Sequence, residues 1–318
     1  MPKGTVLILD TNHIARRAFH AMNHLRTSDG RQSGVVYIAS RIFRKLLNQF
    51  QPTKVFAIFD GGNEHQKKKL STYKHSRKAG PDHFYEQLND LQDLLRSIGA
   101  STIRVKGLEA DMIIGIVAWK LQELEDIDKV IIVSSDSDLL QLIDKKIFVY
   151  DDRKSILWTQ ERFSKEFNNS RPADIVLMKS IAGDSSDDIK GVPGVGETTA
   201  WQAVHLMRDR VFPIGMFRLK ALGGPEYSKK YRQACSGNAR LLKVLYGLDI
   251  VLRNRELIQI PHNEGFLPAD QSTELNAQYS RSSCVHEKKV KQILQKYECD
   301  QLKDSLLRCV PKCSEKEV

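Results

Sequence analysis

The chain has 318 residues, 41% of them apolar and 28% charged, which is material for a real core in one large or two modest domains. Its longest apolar stretch, 112–119, is far too short to span a bilayer, and no signal peptide opens it. Against 39 acidic residues stand 49 basic ones, and the net charge of +10 points to a polyanionic partner, most often nucleic acid. In chain order, ThrValLeuIleLeu runs into Asp10 and ValPheAlaIlePhe into Asp60, each reading as a strand buried on both faces. A helix over 84–98 places Phe84, Leu88, Leu91, Leu95 and Ile98 on one stripe, with Gly99 beyond its end. A strand over 101–105 and a helix over about 111–123 follow, then a third apolar run, ValIleIleValSerSer, ending in Asp136. Segments 148–151 and 155–158 pattern as a hairpin.

Strands separated by helices predict an α/β fold: a mostly parallel central sheet flanked by helices over residues 1–160. Beyond about 160 helical segments dominate, punctuated by Gly183, Gly191, Pro193, Gly194 and Gly196, so 161–318 reads as a helical subdomain packed against the sheet, with a frayed tail after about 310. The five cysteines, Cys235, Cys284, Cys299, Cys309 and Cys313, are odd in number and form no disulfide framework. Cys309 and Cys313, even with Cys299 and His286, lack the paired Cys-x2-Cys spacing of zinc sites. Reduced thiols in a cytoplasmic protein are expected.

In an open parallel sheet the carboxyl ends of the strands line one edge, where ligands bind. Asp10, Asp60 and Asp136 therefore converge, and like charges that close require a cation. Asp136 and Asp138 are two apart, so a strand end points both the same way. Glu109 and Asp111 converge only if the chain enters its helix extended at Glu109. Asp184 and Asp187 are three apart and share a face if helical. Each alone has an ordinary reading: Asp10 as a helix cap, Asp111 in a first helical turn, 184–188 as a solvated loop. Together they form a hard oxygen set that selects Mg²⁺ or Mn²⁺, and their number suits two ions.

Residues 62–80 carry six Lys or Arg against one Glu and leave the same sheet edge after Asp60. A cationic segment beside an anionic cluster makes sense if a phosphate chain passes between them. Tyr73 within it offers a stacking face. GlyValProGlyValGly, 191–196, enters a helix and can present backbone N–H groups to an anion. It is neither a Walker loop nor a dinucleotide fingerprint.

These blocks resemble the 5′-nuclease, or flap endonuclease, superfamily, including the 5′-nuclease domain of bacterial DNA polymerase I and its stand-alone bacterial and phage relatives. The resemblance spans about residues 5–255 through LeuIleLeuAspThrAsn at Asp10, AlaIlePheAspGly at Asp60, TyrLysHisSerArg at 73–77, LeuGluAlaAspMetIleIleGly at 108–115, SerSerAspSerAspLeuLeuGlnLeu at 134–142 and GlyAspSerSerAspAspIleLysGlyValProGlyValGly at 183–196. It implies metal ligands at Asp10, Asp60, Glu109, Asp111, Asp136, Asp138, Asp184 and Asp187. It implies a helical arch over about 62–83 whose Lys74 and Arg77 meet the scissile phosphate, with Tyr73, Lys78 and Arg16 also at DNA. It implies a helix-hairpin-helix over about 184–207 in which Gly191, Gly194 and Gly196 hold duplex phosphates, with K⁺.

One departure stands at Met112, where the bacterial pattern has a second Asp. The implied activity is metal-dependent 5′-3′ exonuclease and 5′-flap endonuclease action on branched or nicked DNA, or an RNA–DNA primer, in replication or repair, by a monomer near the nucleoid of a bacterial or phage-infected cell. A metal-weakened junction-binding paralogue and a PIN-like RNase remain as alternatives.

Overall fold

The computed structural model describes residues 4–206, 239–281 and 284–309. Six strands form the central sheet: β1 (Gly4–Asp10), β2 (Lys54–Ile58), β3 (Ser101–Ile103), β4 (Ile127–Val133), β5 (Ile147–Asp151) and β6 (Ile156–Trp158). Their order is β3-β2-β1-β4-β5-β6. All pairs are parallel except β5 with β6, the expected hairpin. The α/β class read from the sequence is the fold observed.

The period of two in β1 explains its apolar run. Leu7 and Leu9 face one layer, where α1 (Thr11–Ala21), α2 (Gly34–Phe50) and α4 (Asp82–Ser97) supply Ile14, Phe43, Leu88 and Leu95. Val6 and Ile8 face the other, built around α5 (Ala110–Gln122) with Ile113, Ile116 and Val117. A strand covered on both faces has no polar side to alternate with.

The chain then builds a largely helical region: α6 (Gln160–Glu166), α7 (Asp174–Ala182), a tight hairpin of β7 (Gly183–Asp184) and β8 (Ile189–Lys190), α8 (Glu197–Leu206), α9 (Ala239–Tyr246) and α10 (Leu248–Ile258). Gly183, at φ +84°, and Gly191 let the hairpin backbone press on itself; a Cβ at Gly183 would lie 2.6 Å from the Ile189 carbonyl oxygen. Buried Asn254 locks that hairpin to α7, donating to the Ser180 and Lys190 carbonyls at 3.0 and 2.9 Å. α7, α8, α9 and α10 share a small core of Ile181, Val192, Val195, Ala203 and Val244.

Sequence patterning places 161–318 in one helical unit, yet its last helices return to the sheet. α12 (Glu287–Lys296) and α13 (Lys303–Cys309) contribute Val290, Leu294 and Leu306 to the layer beneath α2 and α4. α11 (Ala269–Tyr279) covers the β3 edge. There Gln278 accepts from the Arg104 N–H and donates to its carbonyl, both at 2.8 Å, and Gln271 donates to the Lys106 carbonyl at 2.8 Å. Cys284 is exposed and Cys299 buried; Cys235, Cys313, the tail after 310 and the expected end of the helix-hairpin-helix at 207 lie outside the described residues. Among the described residues no helix is long and apolar enough to cross a membrane.

Candidate metal-dependent active site

The carboxyl edge of the sheet gathers the acidic residues. Asp10 ends β1 and caps α1, accepting from the His13 N–H at 3.2 Å and from the Ser134 hydroxyl at 2.8 Å. Asp60 is placed by Asn12, whose Oδ1 accepts from the Asp60 N–H at 3.1 Å, and its own Oδ1 accepts from the Ala110 N–H at 2.9 Å. Glu109 holds the extended conformation that convergence requires, at φ −76° and ψ 155° before α5. Asp111 follows in the first turn of that helix.

Two strand assignments need correction. β2 stops at Ile58 and β4 at Val133, so Asp60 and Asp136 lie past the strand ends. The run SerSerAspSerAsp ends β4 because its side chains compete for the backbone. The Ser134 hydroxyl accepts from the Asp136 N–H at 3.1 Å, and Asp136 Oδ1 accepts from the Asp138 N–H at 2.9 Å. Asp136 and Asp138 thus meet at the start of a 3₁₀ turn, Ser137–Leu142, and not through the pleat of a strand. Asp184 likewise caps the 3₁₀ turn Ser185–Asp187, accepting from the Ser186 N–H at 2.9 Å.

The charges feel one another. Burial first, then Asp60 and Asp136, push Asp10 up to about 7. Burial and Glu109 raise Asp111 well above the ordinary carboxylate range, despite Lys74. Burial and Asp136 push Asp138 up to about 6.

Two lysines answer part of this charge. Lys74 pairs with Glu109 and lies 3.4 Å from Asp187. Burial opposes its charge, but Glu109, Asp111 and Asp187 outweigh that and raise its pKa above the ordinary lysine value. Arg77 reaches Asp187 at 2.7 Å. Lys179, on α7, pairs with Asp138 and with Asp184 at 2.8 Å. Against the cost of burial these two carboxylates raise it as well.

Lys179 escaped sequence reading because a single lysine in an apolar helix looks like a solvated side chain. The available signal is its place five residues, more than one turn, ahead of Asp184.

Tyr73 is not the exposed stacking face its sequence setting predicts. It is buried, and its hydroxyl touches Glu109 at 2.8 Å and Asp187 at 2.9 Å. The segment carrying it folds down after a short helix, α3 (Glu64–Lys69): the Lys74 N–H donates to the Asp187 carbonyl at 3.1 Å, and the Ser76 N–H to Asp188 at 2.8 Å. Lys78 is exposed. Arg16 is exposed, its guanidinium 5.6 Å from the Phe84 ring centre, whereas Arg17 is committed to Asp152 at 2.6 and 2.5 Å. Gly194 and Gly196 lie on an open loop, with Gly191 half-buried at its start and Val192 and Val195 anchoring it. Met112 is buried and takes a contact from Gln66 at 2.9 Å, so it faces the core.

Among the described residues no three carboxylate, imidazole or thiolate groups are already drawn together tightly enough to hold a metal ion. The donor set nevertheless suits hard divalent cations. It is all oxygen, it is crowded enough to raise Asp10 and Asp111, and two ammonium groups already stand where positive charge is needed.

Several known proteins are similar to this chain. The 5′-3′ exonuclease of Buchnera aphidicola subsp. Schizaphis graminum is 31% identical over 200 residues, 62% of this chain and 69% of that one. The 5′-3′ exonuclease of Aquifex aeolicus is 27% identical over 254 residues, 80% and 86% of the two chains. The zinc-bound structure of T5 5′-exonuclease superposes with a TM-score of 0.63 at 17% identity, covering 96% of this chain and 99% of that one, a likeness of fold. The family described as "5'-3' exonuclease, N-terminal resolvase-like domain" matches residues 5–168, just over half the chain. With Asp10, Asp60, Glu109, Asp111, Asp136 and Asp138 all inside that same segment, the chain belongs to the 5′-3′ exonuclease family of the 5′-nuclease superfamily.

Proposed function

We propose that this chain hydrolyses DNA phosphodiesters from the 5′ side as a structure-specific 5′-3′ exonuclease and 5′-flap endonuclease, removing flaps or RNA–DNA primers in replication or repair. One observation carries the reading: carboxylates from distant segments, Asp10, Asp60, Asp111, Asp136 and Asp138 among them, lie near enough to raise one another's pKa, and a basic segment already touches Glu109 and Asp187 beside them.

Asp10, Asp60, Asp111 and Asp136, with Glu109, Asp138, Asp184 and Asp187 around them, would hold two Mg²⁺ or Mn²⁺ ions. The chemistry such ions supply is Lewis acidity, which makes water a competent nucleophile near neutral pH and offsets charge on the leaving 3′ oxygen. No side chain serves as nucleophile. Lys74 and Arg77, which pair with Glu109 and Asp187 here, would face the scissile phosphate and stabilise the charge that develops on it. Tyr73 pins Glu109 to Asp187, and the basic segment that includes Lys78 would form the arch facing DNA. Arg16 meets the backbone beside it. The segment of about 184–207 would act as a helix-hairpin-helix in which Gly191, Gly194 and Gly196 hold duplex phosphates, with K⁺ bound there. Specificity rests on junction shape and backbone contacts, read by a monomer.

The test is cleavage of a labelled 5′-flap with Mg²⁺ against EDTA, with product ends mapped and an RNA flap run in parallel. Cation-dependent products bearing 5′-phosphate and 3′-hydroxyl ends are expected. No cleavage in Mg²⁺ or Mn²⁺ overturns the proposal, and cleavage of the RNA flap alone makes the chain an RNase.

A further inference from the structure

A cavity of 1190 Å³ opens beside the acidic cluster, between the folded-down basic segment and the α7–hairpin–α8 region. Asp184 and Lys179 lie on its wall, so it is continuous with the candidate active site. Another part of the wall is aromatic. Phe167 and Trp201 both line it, half-buried, with ring centres 5.5 Å apart and planes tilted by 31°.

These two rings are firmly backed. Phe163, fully buried, stacks under Phe167 at 4.5 Å, Trp158 stands 6.1 Å to one side, and His205 lies 6.2 Å from Trp201. The row of rings packs against the core on one side and keeps two of its members on an open cavity. Lys190 and Arg253, both exposed, line the same cavity. Flat apolar faces and cations on one wall system match the two chemistries of a nucleotide, a π-face and a phosphate.

We propose that Phe167 and Trp201 form a stacking subsite for one unpaired nucleobase of the strand being cut, with Lys190 and Arg253 taking an adjoining phosphate. The proposal rests on the nuclease reading and adds to it a contact with bases, in a protein whose other contacts are to backbone. Stacking tolerates any base, so it grips single-stranded nucleotides without reading sequence.

The experiment uses the full chain in EDTA, where no turnover occurs, and an oligothymidylate of about twelve nucleotides beside an abasic strand of the same length. The base-bearing strand should quench tryptophan emission and bind about ten-fold more tightly than the abasic one. Trp201→Phe should remove most of the quench, leaving Trp119 and Trp158 to report little. Phe167→Ala should bring the affinity of the base-bearing strand close to that of the abasic strand. Equal affinity and equal emission for the two strands overturn the subsite, as does a quench that survives Trp201→Phe. Should Phe167→Ala fail to fold, the wild-type emission and the Trp201→Phe variant, which keeps an aromatic ring, decide the matter. If neither strand binds at low salt, the nucleic-acid reading itself falls and the subsite with it.

Discussion

The eight carboxylates divide into two regions that differ in where their counter-charge comes from. Asp10, Asp60, Asp111 and Asp136 form the floor, and among the described residues no ion pair reaches any of them. Around that floor stand two flanking pairs with their own lysines, Lys74 for Glu109 and Asp187, Lys179 for Asp138 and Asp184. Buried Asp10 and half-buried Asp60 and Asp111 crowd one another and exposed Asp136 with no ion pair among them, and anions so crowded take up a proton or find a cation. The floor is therefore where solution cations are most needed, and the flanks are where the protein has set a substitute.

The sharpest way to break this contrast is to remove a floor carboxylate. Asp111→Asn should lower Mg²⁺-dependent flap cleavage by at least about 10³-fold while flap binding changes little. A variant cutting at the wild-type rate would take Asp111 out of the site. Replacing Lys74 and Arg77 together should cost about 10²-fold in single-turnover cleavage if, as proposed, they act on the phosphate and not on the water. Unchanged rates would confine them to the resting contacts seen here.

Acidity sharpens the contrast more gently. Asp10 sits at about 7 and Asp138 at about 6, both above the unfolded carboxylate value, so below those values each is protonated and a cation must displace the proton. Mn²⁺ affinity should fall by about ten-fold between pH 8 and pH 6, followed by titration calorimetry with proton release measured in two buffers. An affinity flat over that window would mean the floor is already ionised. In the cation-free protein the linkage has the opposite sense: a raised carboxylate pKa makes its contribution to stability decline as pH climbs from about 4 towards 7.

The smallest effect should come from a flank. Lys179→Met leaves Asp138 and Asp184 facing each other and should lower the cation-free melting temperature by about 4 °C, with added Mg²⁺ restoring much of it. An equal loss with and without Mg²⁺ would make Lys179 a packing residue only.

The parts of this site that local rules govern were legible in the sequence. Asp10 follows from a two-face-buried strand running into a helix, and Glu109 from the geometry needed to aim two carboxylates together. Asp136 and Asp138 lie together by a route the sequence did not show, because serine and aspartate side chains captured the backbone before the strand reached them. Burial of Tyr73 was not legible at all. Its partners Glu109 and Asp187 come from segments 36 and 114 residues away, and no periodicity encodes such a meeting. Lys179 was missed on the same ground, since Asp138 lies 41 residues before it. The return of α12 and α13 to the sheet was hidden too, because an amphipathic helix announces an apolar face without saying which core receives it.

The glutamines of α11 carry one more consequence. Gln278 holds both backbone groups of Arg104, the residue just past β3, so a helix pins the chain at the rim of the sheet. A truncation ending near residue 168 would strip that cover, leaving β3 as a bare template for pairing with another molecule, and would also remove Val290, Leu294 and Leu306 from beneath α2 and α4. Versions shortened to the family-matched segment should therefore be recovered as aggregates.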